Sequence, residues 1–433
     1  MVMESWNVLP YTLLEKVYHL LPRRDRFACS MVCQNWREAL DCPSLWKTLP
    51  INLDTDLFDP TVLVLMRKYH RYFNTLELRW ANNHPRLSWM QQRPDIARRA
   101  CKFLMVLSET NIQLQSIKFV DWYDGRKLKK MIYHISRFLK NQKSLINVSF
   151  FMVNFNKSDC TKLLSCCLES QKSIRNLEMS YCLYPPNNSQ EYVILISCLE
   201  CLSNLNCLKI DYSFFINGVL EAILLSKTKT LSTLEIYVRG YPSFHETVSD
   251  SDWDKLKQQN PQIRVSFYFV EVCHFEEISV VLREVIPVAT ISLSCGKMWD
   301  QSRSRQYRRT LQLITRYYRR TLENLYIHIK FNKEILDDVL IGMFQKCTKL
   351  QHFEFSGIVQ NLELIKELFE THSNNKSEIG FSSVRVCPKK LDPSSQWYIE
   401  KLFDYFSEIK QKRPFEFEVS ETHYDKCVVY MYN

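Results

Sequence analysis

Short segments in which apolar and polar residues alternate recur along most of the chain. The motif apolar-x-x-apolar-x-apolar begins at twelve places, in two of which the first residue is polar, and successive starts lie 26 to 41 residues apart. Its fourth and sixth residues are apolar in every copy, and the residue between them is polar or charged in all copies but one, where it is Tyr326. Because successive side chains of a strand point to opposite faces, the motif predicts twelve strands with one buried face each. The copies start at Phe73, Leu114, Leu145, Ile174, Leu205, Leu231, Asn260, Val288, Leu322, Leu350, Phe381 and Lys412.

The segments between the predicted strands have helical character. Asp59-Pro60 and Asp392-Pro393 each place an N-cap residue before a proline suited to the first helical turn. A strand and a helix in each repeat predict an α/β solenoid of about twelve strand-helix units, with strands on the concave face and helices outside. Only the copy at Ile174 continues with the expected cysteine, Cys182, so we expect an irregular leucine-rich-repeat solenoid.

The first fifty residues follow a different pattern, that of short helices separated by prolines. Pro10 is suited to open a helix with an apolar stripe, Pro22 to end it, and Asp25 to cap a second helix that carries Trp36. Some forty residues bury too little surface to be stable alone. We therefore expect this segment to be completed either by a partner or by the first repeat, which it would then cap.

This N-terminal segment resembles the F-box, the adaptor-binding motif of substrate receptors in cullin-RING ubiquitin ligases. The resemblance implies a three-helix F-box that binds the Skp1 adaptor, and through it a cullin and a RING protein. The residues that match the motif, and that the resemblance assigns to adaptor binding, are Leu9, Pro10, Leu13, Leu14, Val17, Leu20, Leu21, Pro22, Val32, Cys33, Trp36, Leu45 and Trp46.

A weaker resemblance covers part of the repeats. The segments 253–256, 265–269, 286–287, 291–293 and 428–430 are similar to those of the F-box only protein 39 subfamily. Together the two resemblances imply an F-box at 1–50 followed by a substrate-binding solenoid at 51–433. The implied function is non-catalytic substrate recognition in an SCF (Skp1-cullin-F-box) ubiquitin ligase, with no cofactor.

The composition of the chain argues against several classes of functional site. With 7 glycines spread along 433 residues, no glycine-rich phosphate loop of the GxGxxG or GxxxxGK[ST] type is present. The 16 cysteines lack the paired spacing of a zinc site, and no sequence context suggests a catalytic nucleophile, so we expect neither a metal nor a catalytic residue. With no signal peptide or membrane span apparent, we expect reduced thiols in the cytoplasm or nucleus.

The net charge of +10 is concentrated in one segment, 305–320. At helical spacing its arginines form an outward stripe, and Tyr307, Leu311, Ile314 and Tyr318 lie opposite. The stripe suits either a solvated helix face or a contact with an anionic partner. The alternative function is therefore a repeat scaffold that binds nucleic acid or an acidic protein through this helix, although the modest overall charge makes nucleic acid the less favoured partner. The arginines are Arg305, Arg308, Arg309, Arg316, Arg319 and Arg320.

The polar positions between the buried strand residues predict where a substrate binds. Their charges alternate in sign along the chain, which favours patterned protein recognition over a polyanion. Tyr326 offers a broad amphipathic surface among them. We expect substrate contacts at Lys209, Glu235, Arg264, Tyr326 and Glu354.

Overall fold

The computed structural model describes most of the chain in separate stretches. The predicted helix after Asp392-Pro393, the loop 296–304, and residues Cys182 and 428–430 lie outside them. The described residues are 8–80, 86–122, 129–153, 157–181, 189–226, 229–239, 247–272, 274–295, 305–329, 334–357, 383–388, 404 and 416–419.

The N-terminal helical module comprises three α-helices and a closing 3-10 turn. Pro10 and Pro22 precede the first two helices with φ near −57°, the value at which the proline ring holds the backbone. The second helix begins at Arg23, so Asp25 lies in its first turn rather than at its cap. The elements are α1 Tyr11–Leu20, α2 Arg23–Ser30, α3 Gln34–Leu40 and the turn Pro43–Trp46.

The repeats divide into two compact units, one ending at Asn204 and one beginning at Leu205. In the first unit, parallel strands alternate with helices, because an apolar pattern of period two switches repeatedly to a helical one. Its elements are β1 Thr48–Asn52, α4 Thr61–Tyr69, β2 Thr75–Arg79, α5 Arg86–Glu109, β3 Ser116–Trp122, α6 Lys129–Lys140, β4 Asn147–Val153, α7 Lys157–Cys166, β5 Asn176–Ser180 and α8 Ser189–Cys201.

The second unit repeats the same alternation with shorter helices, and a π-helical stretch, Phe215–Val219, joins two of them. Its elements are β6 Cys207–Asp211, α9 Tyr212–Phe214, α10 Leu220–Leu225, β7 Thr233–Arg239, α11 Asp250–Gln259, β8 Arg264–Val270, α12 Phe275–Val281, β9 Val288–Cys295, α13 Tyr307–Tyr318, β10 Asn324–Ile329, α14 Asp337–Lys346, β11 His352–Gly357, β12 Ser383–Pro388 and β13 Glu416–Val419.

The core of each unit forms from the apolar strand positions that the motif predicts. Leu76, Ile117, Val148 and Leu177 lie in register on four neighbouring parallel strands, and each is at most 1% exposed. Leu208 and Leu234 form the same ladder in the second unit and are fully buried. The α/β class and the strand-helix alternation are therefore confirmed.

The structure corrects the predicted frame in two ways. A strand that the motif missed, β1, pairs with β2 and contains Pro50, so the predicted boundary at residue 50 falls inside a strand of the repeats. In β8 the predicted motif starts two residues too early in the sequence, because Ser266, not Arg264, lies opposite Glu235. The same shift occurs in β13, where Glu418 lies opposite Arg385. An apolar alternation of period two fits equally well after a shift of two, which is why the pattern could not detect this error.

A set of buried polar side chains links the repeats, most of which lack the cysteine expected after the strand. Gln142 is fully buried, accepts a hydrogen bond from the Leu114 backbone N–H at 2.8 Å and donates one to the Ile112 carbonyl at 3.0 Å. Ser170 accepts from Leu145 N–H, and Asn260 accepts from Leu231 N–H, each at 3.1 Å. In all three cases the side chain lies shortly before one strand and hydrogen-bonds backbone groups that lie shortly before the preceding strand. These bonds satisfy buried backbone groups and link successive repeats.

The strand ends of the first unit carry turns that glycine would usually occupy. Asp121, Met152 and Tyr181 have positive φ values of 61°, 53° and 58°. They lie at equivalent places in three consecutive repeats, at or just after the ends of β3, β4 and β5. Because the chain has so few glycines, side-chain-bearing residues adopt this left-handed conformation at a cost of about 1–3 kcal/mol each.

Candidate protein-interaction surfaces

The N-terminal module has a small core of its own. Leu14 and Tyr18 of α1 are fully buried, and the Tyr18 ring packs edge-on against Trp36 with a centroid distance of 5.8 Å. The Tyr18 hydroxyl donates to the Trp36 carbonyl at 2.8 Å, and burial raises the pKa of that hydroxyl to about 12. Trp46 donates its indole N–H to the Leu40 carbonyl at 2.7 Å. These bonds hold α1, α3 and the closing turn together.

Large apolar side chains of the same module lie in solvent. Leu20 is 86% exposed, Met31 74% and Val32 58%. Val8, Tyr11 and Leu13 near the start of α1 are also exposed. A concentration of exposed apolar residues within forty residues is typical of a surface that a partner covers.

The predicted adaptor-binding residues divide by burial. Those on the surface are Pro10, Leu13, Leu20, Pro22 and Val32, and those half-buried are Leu9, Val17, Leu21 and Cys33. Leu14, Trp36, Leu45 and Trp46 are buried and hold the module's own fold in this structure. Val8, Tyr11 and Met31 are not among the residues that match the motif, and helical phase places Tyr11 on the same face as the buried Leu14 and Tyr18, so it gave no sign of this exposure.

The module is joined directly to the first repeat. The rings of Trp46 and Tyr69 stack with a centroid distance of 4.1 Å and an interplanar angle of 7°. The Tyr69 hydroxyl donates to Asp41 at 2.5 Å, and Arg26 donates to the Leu45 carbonyl at 2.9 Å. Since β1 begins two residues after Trp46, helices and strand share one packed junction.

Charged groups reinforce this junction. Lys68 lies 2.7 Å from the Asp41 carboxylate, and Arg23 lies 2.9 Å from Asp56. Burial raises the pKa of Asp41, but the hydrogen bonds from Lys68 and Tyr69 outweigh it, so the pKa of this carboxyl is lower than usual. Both partners of the Lys68–Asp41 pair are about half exposed, so the pair contributes less than about 1 kcal/mol to stability.

The five predicted substrate-binding residues do not form one row. Lys209 and Glu235 lie in register and form an ion pair at 3.1 Å. Arg264 is displaced by two residues, as described above, and pairs with Glu323 at 3.1 Å. Tyr326 lies opposite Glu354, whose carboxylate is 3.8 Å from His328, and this pair aligns through Ser292 with Tyr268 rather than with Glu235. Between β8 and β9 the strand register also shifts, between Val265 and Ser266.

The arginine-rich segment is a shorter helix than predicted. The helix α13 spans Tyr307–Tyr318, so Arg319 and Arg320 follow it and Arg305 precedes it. Arg305 is buried, contrary to the outward stripe predicted. Arg308 pairs with Asp338 at 2.6 Å, and Arg309 lies 4.1 Å from the Phe275 ring centroid. The inward face of Tyr307, Leu311, Ile314 and Tyr318 is confirmed, since each is at most 1% exposed.

The eleven cysteines whose side chains the structure describes are free thiols. Cys166, Cys167 and Cys198 are buried, and burial raises the pKa of Cys198 to about 11. Within the described stretches no three His, Cys, Asp or Glu side chains converge on a position that suits a metal ion. None of the helices described there is both long and apolar enough to span a membrane.

Comparison with known protein families identifies the N-terminal helical module. Residues 6–48 match the family model of the F-box domain. The N-terminal helical module is therefore an F-box, and parallel α/β repeats follow it.

Relatives extend the likeness into the repeats. The chain is similar to F-box/LRR-repeat protein 21 of Mus musculus, with 22% identity over 300 residues that cover 66% of this chain and 64% of that protein. It is also similar to F-box only protein 33 of Homo sapiens, with 21% identity over 456 aligned residues that cover 89% of this chain and 79% of that protein. The chain thus matches just under two thirds of the length of the first of these relatives.

Proposed function

We propose that the chain is a substrate-recognition subunit of an SCF ubiquitin ligase. In this proposal residues 1–50 bind the Skp1 adaptor, which connects to a cullin and a RING protein, and residues 51–433 bind a protein substrate. The F-box match at 6–48, together with the exposed apolar side chains of that segment, supports it most strongly. Both the F-box/LRR-repeat relatives and the repeats agree with it.

The proposed role requires no chemistry from the chain itself. A receptor of this kind contributes proximity: it holds the substrate where a ubiquitin-loaded enzyme can reach its lysines. The packed junction around Trp46 and Tyr69 suits this role, because a stiff connection limits where the first repeats lie relative to the bound adaptor. We therefore propose an adaptor rather than an enzyme.

Three finer assignments belong to the same proposal. The segments named above favour the F-box only protein 39 subfamily, and the free thiols favour the cytoplasm or nucleus. Substrate contact at Lys209, Glu235, Arg264, Tyr326 and Glu354 also stays a proposal. Lys209, Glu235 and Arg264 already have ionic partners within the chain, which a substrate would have to replace.

The test of adaptor binding exploits the exposure of the apolar residues. In the double variant Leu13→Glu with Leu20→Glu, the fold should persist because both side chains lie in solvent, while affinity for purified Skp1 should fall. Loss of apolar anchors at an interface costs about 2 kcal/mol or more, roughly a 30-fold weaker Kd. A second variant, Leu9→Ala with Pro10→Ala, changes the first two residues that match the motif. This variant should no longer co-purify with Skp1.

The matched control carries the same change on the repeats. Val64 on α4 and Met105 on α5 are 66% and 48% exposed, so Val64→Glu with Met105→Glu adds the same two charges outside the F-box. This control should bind Skp1 as the unchanged chain does. Full Skp1 affinity in both F-box variants would overturn the proposed function.

A further inference from the structure

The strand faces of β2 to β5 that lie opposite the apolar core carry two parallel rows of side chains, which we name the β2–β5 face; Ser149 and Ser180 of these rows are buried. Alternate residues of a strand share a face, and the strand register places equivalent residues side by side. The first row is Glu77, Lys118, Ser149 and Glu178, and the second row is Arg79, Val120, Phe151 and Ser180.

Within the part of the chain that the structure describes, two charges of the first row have no ionic partner. Glu77 is bound by Arg79 through two hydrogen bonds of 2.7 and 3.0 Å, so these two neutralise each other. Lys118 is exposed, and no described carboxylate pairs with it. Among the described residues, Glu178 accepts hydrogen bonds from two hydroxyls, those of Ser149 at 2.6 Å and Ser180 at 3.1 Å. A cation and an anion therefore stand two strands apart, each available to an opposite charge.

The second row places an apolar surface beside these charges. Val120 and Phe151 are neighbours in register and half-buried, and the Phe151 ring packs edge-on against Tyr181 at 5.5 Å. The opposite face of the same strands is rigid core, where Phe119 and Phe150 stack at 5.3 Å with no exposed surface. The β2–β5 face is thus a firm platform with an apolar side and two unpaired charges of opposite sign.

The spacing of the strand backbones that carry the two charges constrains the conformation of a ligand. Lys118 on β3 and Glu178 on β5 are separated by two inter-strand steps, about 9.6 Å. In a polyproline II helix, three residues advance about 9.3 Å and return to the same face. An extended β-strand reaches a similar length in three residues but turns the third side chain to the other face. A polyproline II segment therefore fits the two charges better.

We propose that the β2–β5 face binds a protein segment in polyproline II conformation with an acidic residue and a basic residue three positions apart. The acidic residue pairs with Lys118, the basic residue pairs with Glu178, and an apolar residue between them packs on Val120 and Phe151. This site deepens the proposed function, on which it rests, because it names a class of substrate segment and places it in the first unit.

The experiment uses the full chain with purified Skp1 and a displayed library of random twelve-residue peptides as the probe. Selected peptides should share the acidic-x-x-basic pattern, in one chain direction or the other, with an apolar residue inside it. The variant Lys118→Glu with Glu178→Lys should bind these peptides at least tenfold more weakly and should recover binding when the two peptide charges are exchanged. Phe151→Ala should weaken both sets, with its unfolding midpoint measured in parallel.

Matched controls separate this surface from a general charge effect. Lys162 and Glu169 are exposed in and just after α7, so Lys162→Glu with Glu169→Lys makes the same charge exchange away from the face. Tyr133→Ala removes an exposed aromatic ring from α6. Neither change should alter peptide binding.

Three outcomes would overturn the inference: no pattern among the selected peptides, equal loss in the Lys162 and Glu169 control, or a charge exchange that fails to restore binding. Skp1 affinity is measured on the same variants and should stay unchanged. A chain that selects the peptides but does not bind Skp1 would instead refute the proposed function alone.

Discussion

The F-box and the repeats use leucine in opposite ways. In the repeats, motif leucines such as Leu208 and Leu234 are fully buried between strands and helices. In the F-box, Leu14 is buried but Leu13 and Leu20 of the same helix are exposed. Each repeat is completed by its neighbour in the same chain, whereas the F-box leaves part of its apolar surface without an intramolecular partner. The difference indicates which part of the molecule is built to be completed from outside.

The largest expected effect contrasts two leucines directly. Leu208→Ala should lower the free energy of unfolding by roughly 2–5 kcal/mol, because it leaves a cavity in a packed core. Leu20→Ala should change it by less than about 0.5 kcal/mol, because that side chain lies in solvent. Urea unfolding of both variants measures the difference. Lys209→Ala, next to Leu208, serves as control and should be nearly neutral; similar losses at 208 and 209 would contradict the strand register.

A second effect concerns the buried polar links between repeats. Gln142→Ala should destabilise the chain by about 2 kcal/mol, since it leaves the Leu114 N–H and the Ile112 carbonyl buried without partners. Gln113 makes analogous bonds, to the Asn141 carbonyl and from the Lys143 N–H, but is exposed to water. Gln113→Ala should therefore cost much less. Equal losses in thermal unfolding would show that burial does not govern these links.

A smaller effect is expected at the junction of F-box and repeats. Tyr69→Phe keeps the stack on Trp46 and removes the hydroxyl that donates to Asp41, so it should cost about 0.5–1.5 kcal/mol. Hydrogen exchange should rise both in the F-box and at β1 if the junction unfolds as one unit. Exchange that rises in α4 alone would mean that the two parts are independent.

The smallest effect is the acid dependence of the same junction. The pKa of Asp41 is lowered in the folded chain, so its contribution is present above the unfolded value of about 3.9 and is lost as the pH falls through the folded value. Asp41→Asn should thus destabilise slightly at pH 7 and less near pH 2. Unfolding free energies at the two pH values measure this, and a difference that grows toward low pH would have the wrong sign.

Burial within the F-box shows the reach and the limit of the sequence motif. The residues that match the motif identified the module. They include both the exposed Leu13 and Leu20 and the buried Trp36 and Trp46, which form its core. A landmark motif records which residue types a fold needs, not which of them face a partner. Met31, at 74% exposure one of the most exposed apolar residues, lies within the F-box segment but is not among the residues that match the motif.

The F-box can be predicted from the residues that match its motif. The α/β class and nearly all buried positions of the described strands can be predicted as well, because alternation with period two and helical spacing are local properties of the chain. The register at β8 and β13 is seen only in the folded chain, since a shift of two residues preserves the alternation. The tertiary structure alone also decided which charges pair: Lys209 with Glu235 and Arg264 with Glu323, while no described residue forms an ion pair with Lys118 or Glu178. Pairing depends on distances between residues about 26 to 60 positions apart, and those distances exist only once the strands are assembled.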